Sequence, residues 1–127
     1  MPDGANLSTE QLRSRVEAIL SRHGLNATQA GALAGVIVAG ERDACKSHGI
    51  YRIEGVLRTV HARKVDPQAV PVLEDADGSA IVRVNAGGGF ANPAFDLGLP
   101  ALVERASSLG LAALVINDCT HFSALWP

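Results

Sequence analysis

Leu111-Ala112-Ala113-Leu114-Val115-Ile116 is a nearly unbroken apolar run, the pattern of a strand buried on both faces. The region before it, from Asn92 to Leu109, reads as helix, and Gly110 suits a left-handed helix stop. Asn92-Pro93 reads as an N-cap followed by proline at the first helical position. Pro100 is expected to end or kink that helix at Leu99. Further back lie two short strand patterns, Val70–Glu74 and Ala80–Asn85, joined by Asp75-Ala76-Asp77-Gly78. A strand, a helix and a buried strand in succession predict an α/β sheet with helical cover.

Two turns in this half invite ligand readings. Asp-x-Asp-Gly suggests calcium, but no Glu stands at loop position 12, so a plain hairpin turn is the expectation. Gly87-Gly88-Gly89-Phe90, a strand-to-helix turn, could cradle a phosphate. The dinucleotide fingerprint fails there because Asn92 holds the place of the third glycine, and no Gly-Lys-Ser/Thr follows. A flexible turn that lets backbones pass closely stands equal beside the phosphate reading.

Residues 1–65 read as a helical unit, with a boundary at Asp66-Pro67 where the composition turns β-like. Ser8 and Gln11 form a capping box for the first helix, whose apolar repeat is Leu12, Val16, Ile19 and Leu20. Gly24 stops it, and His23 reads as a cation in its last turn. Asn26 caps a second helix that runs to about Ala44 through Leu33, Val36 and Ile37. Its Ala and Gly content suggests close helix–helix approach.

Lys46-Ser47-His48-Gly49-Ile50-Tyr51-Arg52 carries the chemistry. Ser47 is expected to cap a third helix reaching Arg63. His48 and Arg52, four apart, would then stack on one face, opposite Ile50, Ile53, Leu57 and Val60. A residue that trades protons near neutrality beside a guanidinium fork suits a small substrate with a carboxylate next to its reacting carbon. The bland alternative is a helix start with a surface His and a surface Arg. His61 reads as part of the cationic helix end.

Composition bounds the rest. In 127 residues, 47% hydrophobic and 19% charged, the chain is a core-forming globular one. A net charge of −2 without a basic run excludes a nucleic-acid or anionic-membrane binder. No apolar stretch reaches the roughly 20 residues of a membrane span, and the N-terminus has no signal-peptide pattern. Cys45 and Cys119 are lone thiols, read as packing residues of a reducing compartment, and the expected address is the cytoplasm. No metal ligands are assigned.

The apolar run leads into Asn117-Asp118-Cys119-Thr120-His121-Phe122-Ser123-Ala124-Leu125-Trp126-Pro127, at the carboxyl end of a strand where α/β sheets gather ligands. A buried strand followed by a His-Phe-Trp loop is expected to need more chain to cover it, as in an N-terminal portion of a longer protein. Ser47-His48-Gly49-x-x-Arg52, the Gly-rich turn after Asn85 and His121-Phe122-Ser123-Ala124-Leu125-Trp126 stand in order. Together they resemble the malate/L-lactate dehydrogenase-like family of NAD(P)H-dependent oxidoreductases. Within it, the last motif looks most like the Δ1-piperideine-2-carboxylate/Δ1-pyrroline-2-carboxylate reductases.

The resemblance implies an α/β fold, with a helical unit over residues 1–65 and the start of a mixed α/β cofactor-binding domain over 66–127. It implies that Ser47 and His48 are two members of a relay whose third, an Asp, lies beyond Pro127. Arg52 would hold the substrate carboxylate, and His121, Phe122, Ser123, Ala124 and Leu125 would contact the nicotinamide cofactor. Asn85 departs from the acidic residue of many relatives and receives no role. The implied reaction is reduction of a cyclic ketimine acid by NADPH, with NADH possible, to L-proline or L-pipecolate. The implied assembly is a homodimer, and the isolated chain is expected to have little turnover. The alternatives are a 2-hydroxyacid dehydrogenase of the malate, lactate or ureidoglycolate type and a non-catalytic helical interaction module.

Overall fold

The computed structural model describes residues 6–74 and 78–121. Its elements run α1 (Thr9–Arg22), α2 (Ala27–Arg42), α3 (Arg52–His61), β1 (Val72–Leu73), β2 (Ile81–Asn85), α4 (Ala91–Leu109) and β3 (Ala113–Asn117). The sheet order is β1-β2-β3, with β1 antiparallel and β3 parallel to β2. Three helices followed by a small mixed sheet with a crossover helix is the expected α/β arrangement. No described helix is long and apolar enough to cross a membrane.

The first two helices start where their caps dictate. The Ser8 Oγ accepts from the Gln11 N–H at 3.1 Å, and Gln11 Oε1 accepts from the Ser8 N–H at 3.0 Å. Asn26 does two jobs: its Oδ1 accepts from the Gln29 N–H at 2.9 Å, and its Nδ2 donates to the Ala69 carbonyl at 3.0 Å. The cap of α2 thereby also ties down the segment that leads into the sheet. Val16, Leu20, Leu33, Ala34 and Ile37 form a core with Val56, Val60, Val65 and Phe90, and Leu12, Ile53 and Leu57 pack against it.

One buried polar side chain joins these helices to the sheet. Gln29 is 1% exposed; its Nε2 donates to the Asp66 carbonyl at 2.9 Å, and its Oε1 accepts from the Phe90 N–H at 3.0 Å. Close by, the Asp66 N–H donates to the Gly88 carbonyl. Buried amides need partners, so Gln29 completes the hydrogen bonding of two loops at once.

Several expectations require correction. The third helix starts at Arg52 and ends at His61, because 46–51 form successive turns; Tyr51, not Ser47, precedes its first residue, and Arg63 takes a positive φ of 55°. Ile50, expected on the core face, is 45% exposed. Helix α4 starts at Ala91 with Phe90 in the cap position, so Asn92 and Pro93 lie inside its first turn. Asn92 is buried there, and its Oδ1 has no hydrogen-bond partner among the described residues.

Pro100 does not end α4: it sits on the exposed face, where water can take the carbonyl that its missing N–H leaves open. The apolar β3 is only half-buried, since β2 covers one of its edges and α4 packs on the sheet; its own ends are exposed. The strand pattern expected for 70–74 is a two-residue ladder, Val72 with Asn85 and Leu73 with Val84. The Asp75-Ala76-Asp77 part of the expected hairpin turn lies outside the described residues.

Replacing Gln29 by Leu keeps the volume near that of the native side chain but strands the Phe90 N–H and the Asp66 carbonyl. The variant is expected to lose about 3 kcal/mol in urea denaturation with an unchanged m value. A loss below about 0.5 kcal/mol would show that water replaces the side chain and that the tie has no energetic weight.

Candidate active site

The Ser47-His48 segment lies against the C-terminal end of α2. Glu41 holds it there: one carboxylate oxygen accepts from Lys46 Nζ at 2.8 Å and the other from the Ile50 N–H at 3.1 Å. The Lys46 hydrogen bond first, then that from Ile50, keeps the Glu41 carboxyl below its ordinary 4.5. The contact leaves no room for side chains between the two segments. A Cβ on Gly49 would strike the Glu41 carboxylate, and one on Gly40 would come within 2.6 Å of the His48 carbonyl oxygen. The glycine of Ser-His-Gly therefore has a steric reason.

Within the segment, Ser47 Oγ and His48 Nδ1 are 2.9 Å apart, and Cys45 Sγ is 3.7 Å from each. The hydroxyl can orient the ring and favour one tautomer, as a two-member relay requires. Arg52 begins α3, its N–H donating to the Gly49 carbonyl at 2.9 Å. His48 and Arg52 thus belong to a turn and to a helix start, and the expected stacking on one helix face does not occur.

Arg52 instead meets the other end of the chain. It lines a cleft of about 270 Å³ with Gly55, Val56, Thr59, Phe90, Thr120 and His121. Two expected site residues, Arg52 and His121, come together here, whereas Ser47 and His48 are not among the lining residues. Phe122, Ser123, Ala124 and Leu125 lie outside the described residues. Thr59, Phe90 and Thr120 were not singled out from the sequence. A signal existed for Thr59: Arg52, Gly55, Val56 and Thr59 follow the i, i+3, i+4, i+7 spacing of one helix face.

His121 is carried to the cleft by the Gly-rich turn. Gly87 and Gly88 have φ of 62° and 81°, a pair of left-handed residues that reverses the chain after β2. The turn then runs beside the residues that follow β3. The Gly88 N–H donates to the Asp118 carbonyl and the Ala91 N–H to that of Thr120, while the Thr120 N–H donates to Gly89. The Gly87 N–H goes to Asn85 Oδ1, the Gly89 N–H to the Ala86 carbonyl and the Phe90 N–H to Gln29. All five N–H groups from 87 to 91 are engaged inside the protein. The phosphate-cradle alternative therefore loses its donors, and the turn is a structural one.

The cleft volume lies near the lower edge of the roughly 300–1,000 Å³ common for small-molecule sites. It combines one guanidinium, one imidazole and an aromatic ring with two threonine hydroxyls that already donate to the Gly55 and Lys64 carbonyls; the guanidinium suits a small carboxylate-bearing ligand. Among the described residues, no group of three or more His, Cys, Asp or Glu side chains is placed to hold a metal ion.

A sequence profile of the malate/L-lactate dehydrogenase family matches residues 7–127. The chain belongs to that family. It is 72% identical over 127 residues to the Δ1-pyrroline-2-carboxylate reductase of Agrobacterium fabrum, covering 100% of this chain and 37% of that protein. It is 46% identical over 120 residues to the Δ1-pyrroline-2-carboxylate/Δ1-piperideine-2-carboxylate reductase of Pseudomonas aeruginosa, covering 94% of this chain and 36% of that one. The crystal structure of Δ1-piperideine-2-carboxylate reductase from Pseudomonas syringae superposes with a TM-score of 0.92 at 41% identity, over 98% of this chain and 37% of that chain. The malate dehydrogenase of Entamoeba histolytica shares the fold, with a TM-score of 0.77 at 20% identity over 93% of this chain and 33% of that chain. This chain thus spans about a third of the length of these relatives.

Glu41 makes the segment sensitive to acid. Its folded-state pKa is lowered, so its contribution to stability is fully present above the ordinary value of 4.5 and is lost as pH falls through the lowered folded value. Glu41→Gln is expected to flatten the acid side of the stability–pH curve while leaving its shape near neutrality. An unchanged acid limb would mean that the pairing seen at Glu41 contributes nothing in solution.

Proposed function

We propose that this chain forms the carboxylate-binding and proton-relay part of an NADPH-dependent reductase of cyclic ketimine acids. Δ1-Pyrroline-2-carboxylate would give L-proline, and Δ1-piperideine-2-carboxylate would give L-pipecolate. The observation that supports this reading most directly is the cleft shared by Arg52 and His121, in a chain 72% identical to a Δ1-pyrroline-2-carboxylate reductase.

In this reading the Arg52 guanidinium takes the substrate carboxylate in a paired, charge-assisted hydrogen bond, which fixes the neighbouring C=N carbon. Thr59 and Thr120 line the same space with their hydroxyl protons already given to the Gly55 and Lys64 carbonyls, and Phe90 keeps one wall dry. His48, held through Nδ1 by Ser47 in the turn that precedes Arg52, would donate a proton to the substrate nitrogen as the C=N bond is reduced; since it is not among the residues that line the cleft, this role rests on the family resemblance. Burial of the carboxylate against Arg52 and of the ring against Phe90 limits the orientations from which that proton can be given.

NADPH, with NADH as the alternative, supplies the hydride when bound. The cleft has room for a reactive ring and a small acid, and His121 with Phe122, Ser123, Ala124 and Leu125 would contact that end of the cofactor. The Gly-rich turn cannot serve its phosphates, since its N–H groups are engaged. Residues 1–65 as the helical unit bearing the relay, 66–127 as the start of the cofactor-binding domain, a homodimer and a cytoplasmic address belong to the same reading.

The test joins residues 1–127 to the remaining part of the Agrobacterium relative and follows oxidation of the reduced nicotinamide. Turnover on Δ1-pyrroline-2-carboxylate above that on pyruvate or a related 2-keto acid is the expected result. The reverse order would favour a 2-hydroxyacid dehydrogenase. The isolated chain is expected to be inactive. In the joined protein, Arg52→Lys is expected to raise KM about 10- to 100-fold, and His48→Gln to lower kcat about 100-fold. Full activity in both variants would leave a non-catalytic role for this region.

A further inference from the structure

His23 and His61 meet at the far end of α3 from Arg52. His23 closes α1 in the C-cap position, and His61 is the last residue of α3. His23 Nδ1 and His61 Nε2 are 3.1 Å apart, with ring centroids 5.2 Å apart and the rings tilted by 51°. Both side chains are exposed. As a hydrogen bond, this contact needs one ring to donate and the other to accept. The same spacing also matches two ligands of a single ion.

We propose that His23 and His61 chelate one divalent transition ion of the zinc or nickel type, clamping the C-terminal ends of α1 and α3 together. With imidazole–metal bonds of roughly 2.0–2.1 Å, a nitrogen separation of 3.1 Å subtends an angle of about 98° at the ion. That lies between the square-planar and tetrahedral values. Two helix C-termini also point their negative dipole ends at this place, which favours a cation. Arg22, Arg63 and Lys64 border the pair in sequence and oppose a further positive charge. Imidazole nitrogens select against magnesium and calcium, which prefer oxygen ligands.

Coordination requires both facing nitrogens to be deprotonated. In the neutral pair, the ring that donates moves its proton to its outer nitrogen by exchange with water, and no net proton is released. No third His, Cys, Asp or Glu joins the two among the described residues, so water completes the shell.

The experiment uses tag-free, metal-stripped protein and compares thermal unfolding with zinc chloride, nickel chloride and magnesium chloride. Zinc and nickel at about 100 times the dissociation constant are expected to raise Tm by about 5–10 °C; magnesium is expected to have no effect. His23→Gln and His61→Gln are each expected to abolish the rise. As a measurement that needs no variant, the imidazole proton resonances of His23 and His61 should move on zinc addition at one ion per chain, while those of His48 and His121 stay. An undiminished rise in the two variants, or resonance changes at His48 or His121 in place of the pair, overturns the proposal. So does the absence of any Tm or resonance change.

Discussion

The buried amide of Gln29 is the constraint on which the rest of the arrangement depends. A helix can pack against a sheet through apolar contacts alone, but such contacts tolerate sliding. Gln29 does not, because its two ends address opposite partners: the carbonyl of Asp66 and the N–H of Phe90. The Asp66 loop follows the helical unit, and Phe90 opens the crossover helix. Fixing both to one side chain sets where the Gly-rich turn leaves the sheet. That turn in turn brings Thr120 and His121 to the cleft that Arg52 lines.

Elements with local determinants could be read from the sequence. Ser8 with Gln11, and Asn26 with the Gln29 N–H, mark two helix starts because capping is a matter of three residues. The parallel strand at Ala113–Asn117 and its partner at Ile81–Asn85 were visible as apolar runs flanking a helix. What failed were readings in which a longer-range contact overrides the local preference. Ser47 has the chemistry of an N-cap, yet Glu41 draws Lys46 and the Ile50 N–H onto α2, and the helix cannot begin until the chain clears that contact. Asn92 likewise looks like a cap, but Phe90 is already held by Gln29, so the helix begins two residues earlier than a cap at Asn92 would allow.

The candidate site was legible residue by residue and not as an assembly. Ser47 and His48 are adjacent in the sequence, and their 2.9 Å contact follows from that. That Arg52 should face His121 follows only from the β2-α4-β3 crossover, which no spacing in the sequence records. Gln29 was hidden for another reason: a single glutamine in an Ala- and Gly-rich helix reads as part of a cap when only the backbone N–H is considered. Its place four residues before Leu33, on the same buried helix face, was the available sign.

The cleft joins one face of the third helix with Phe90 and residues that follow the third strand, so no local segment of the chain contains it whole. A segment folding early can form α1 and α2 and their shared core, whereas the Arg52–His121 wall waits for a long loop to close and for the parallel pairing of β2 with β3. This side of the cleft therefore rests on contacts of high sequence separation and goes when the sheet opens. A small molecule that bridges the cleft would tie the two ends of that long loop together and so favour the closed arrangement.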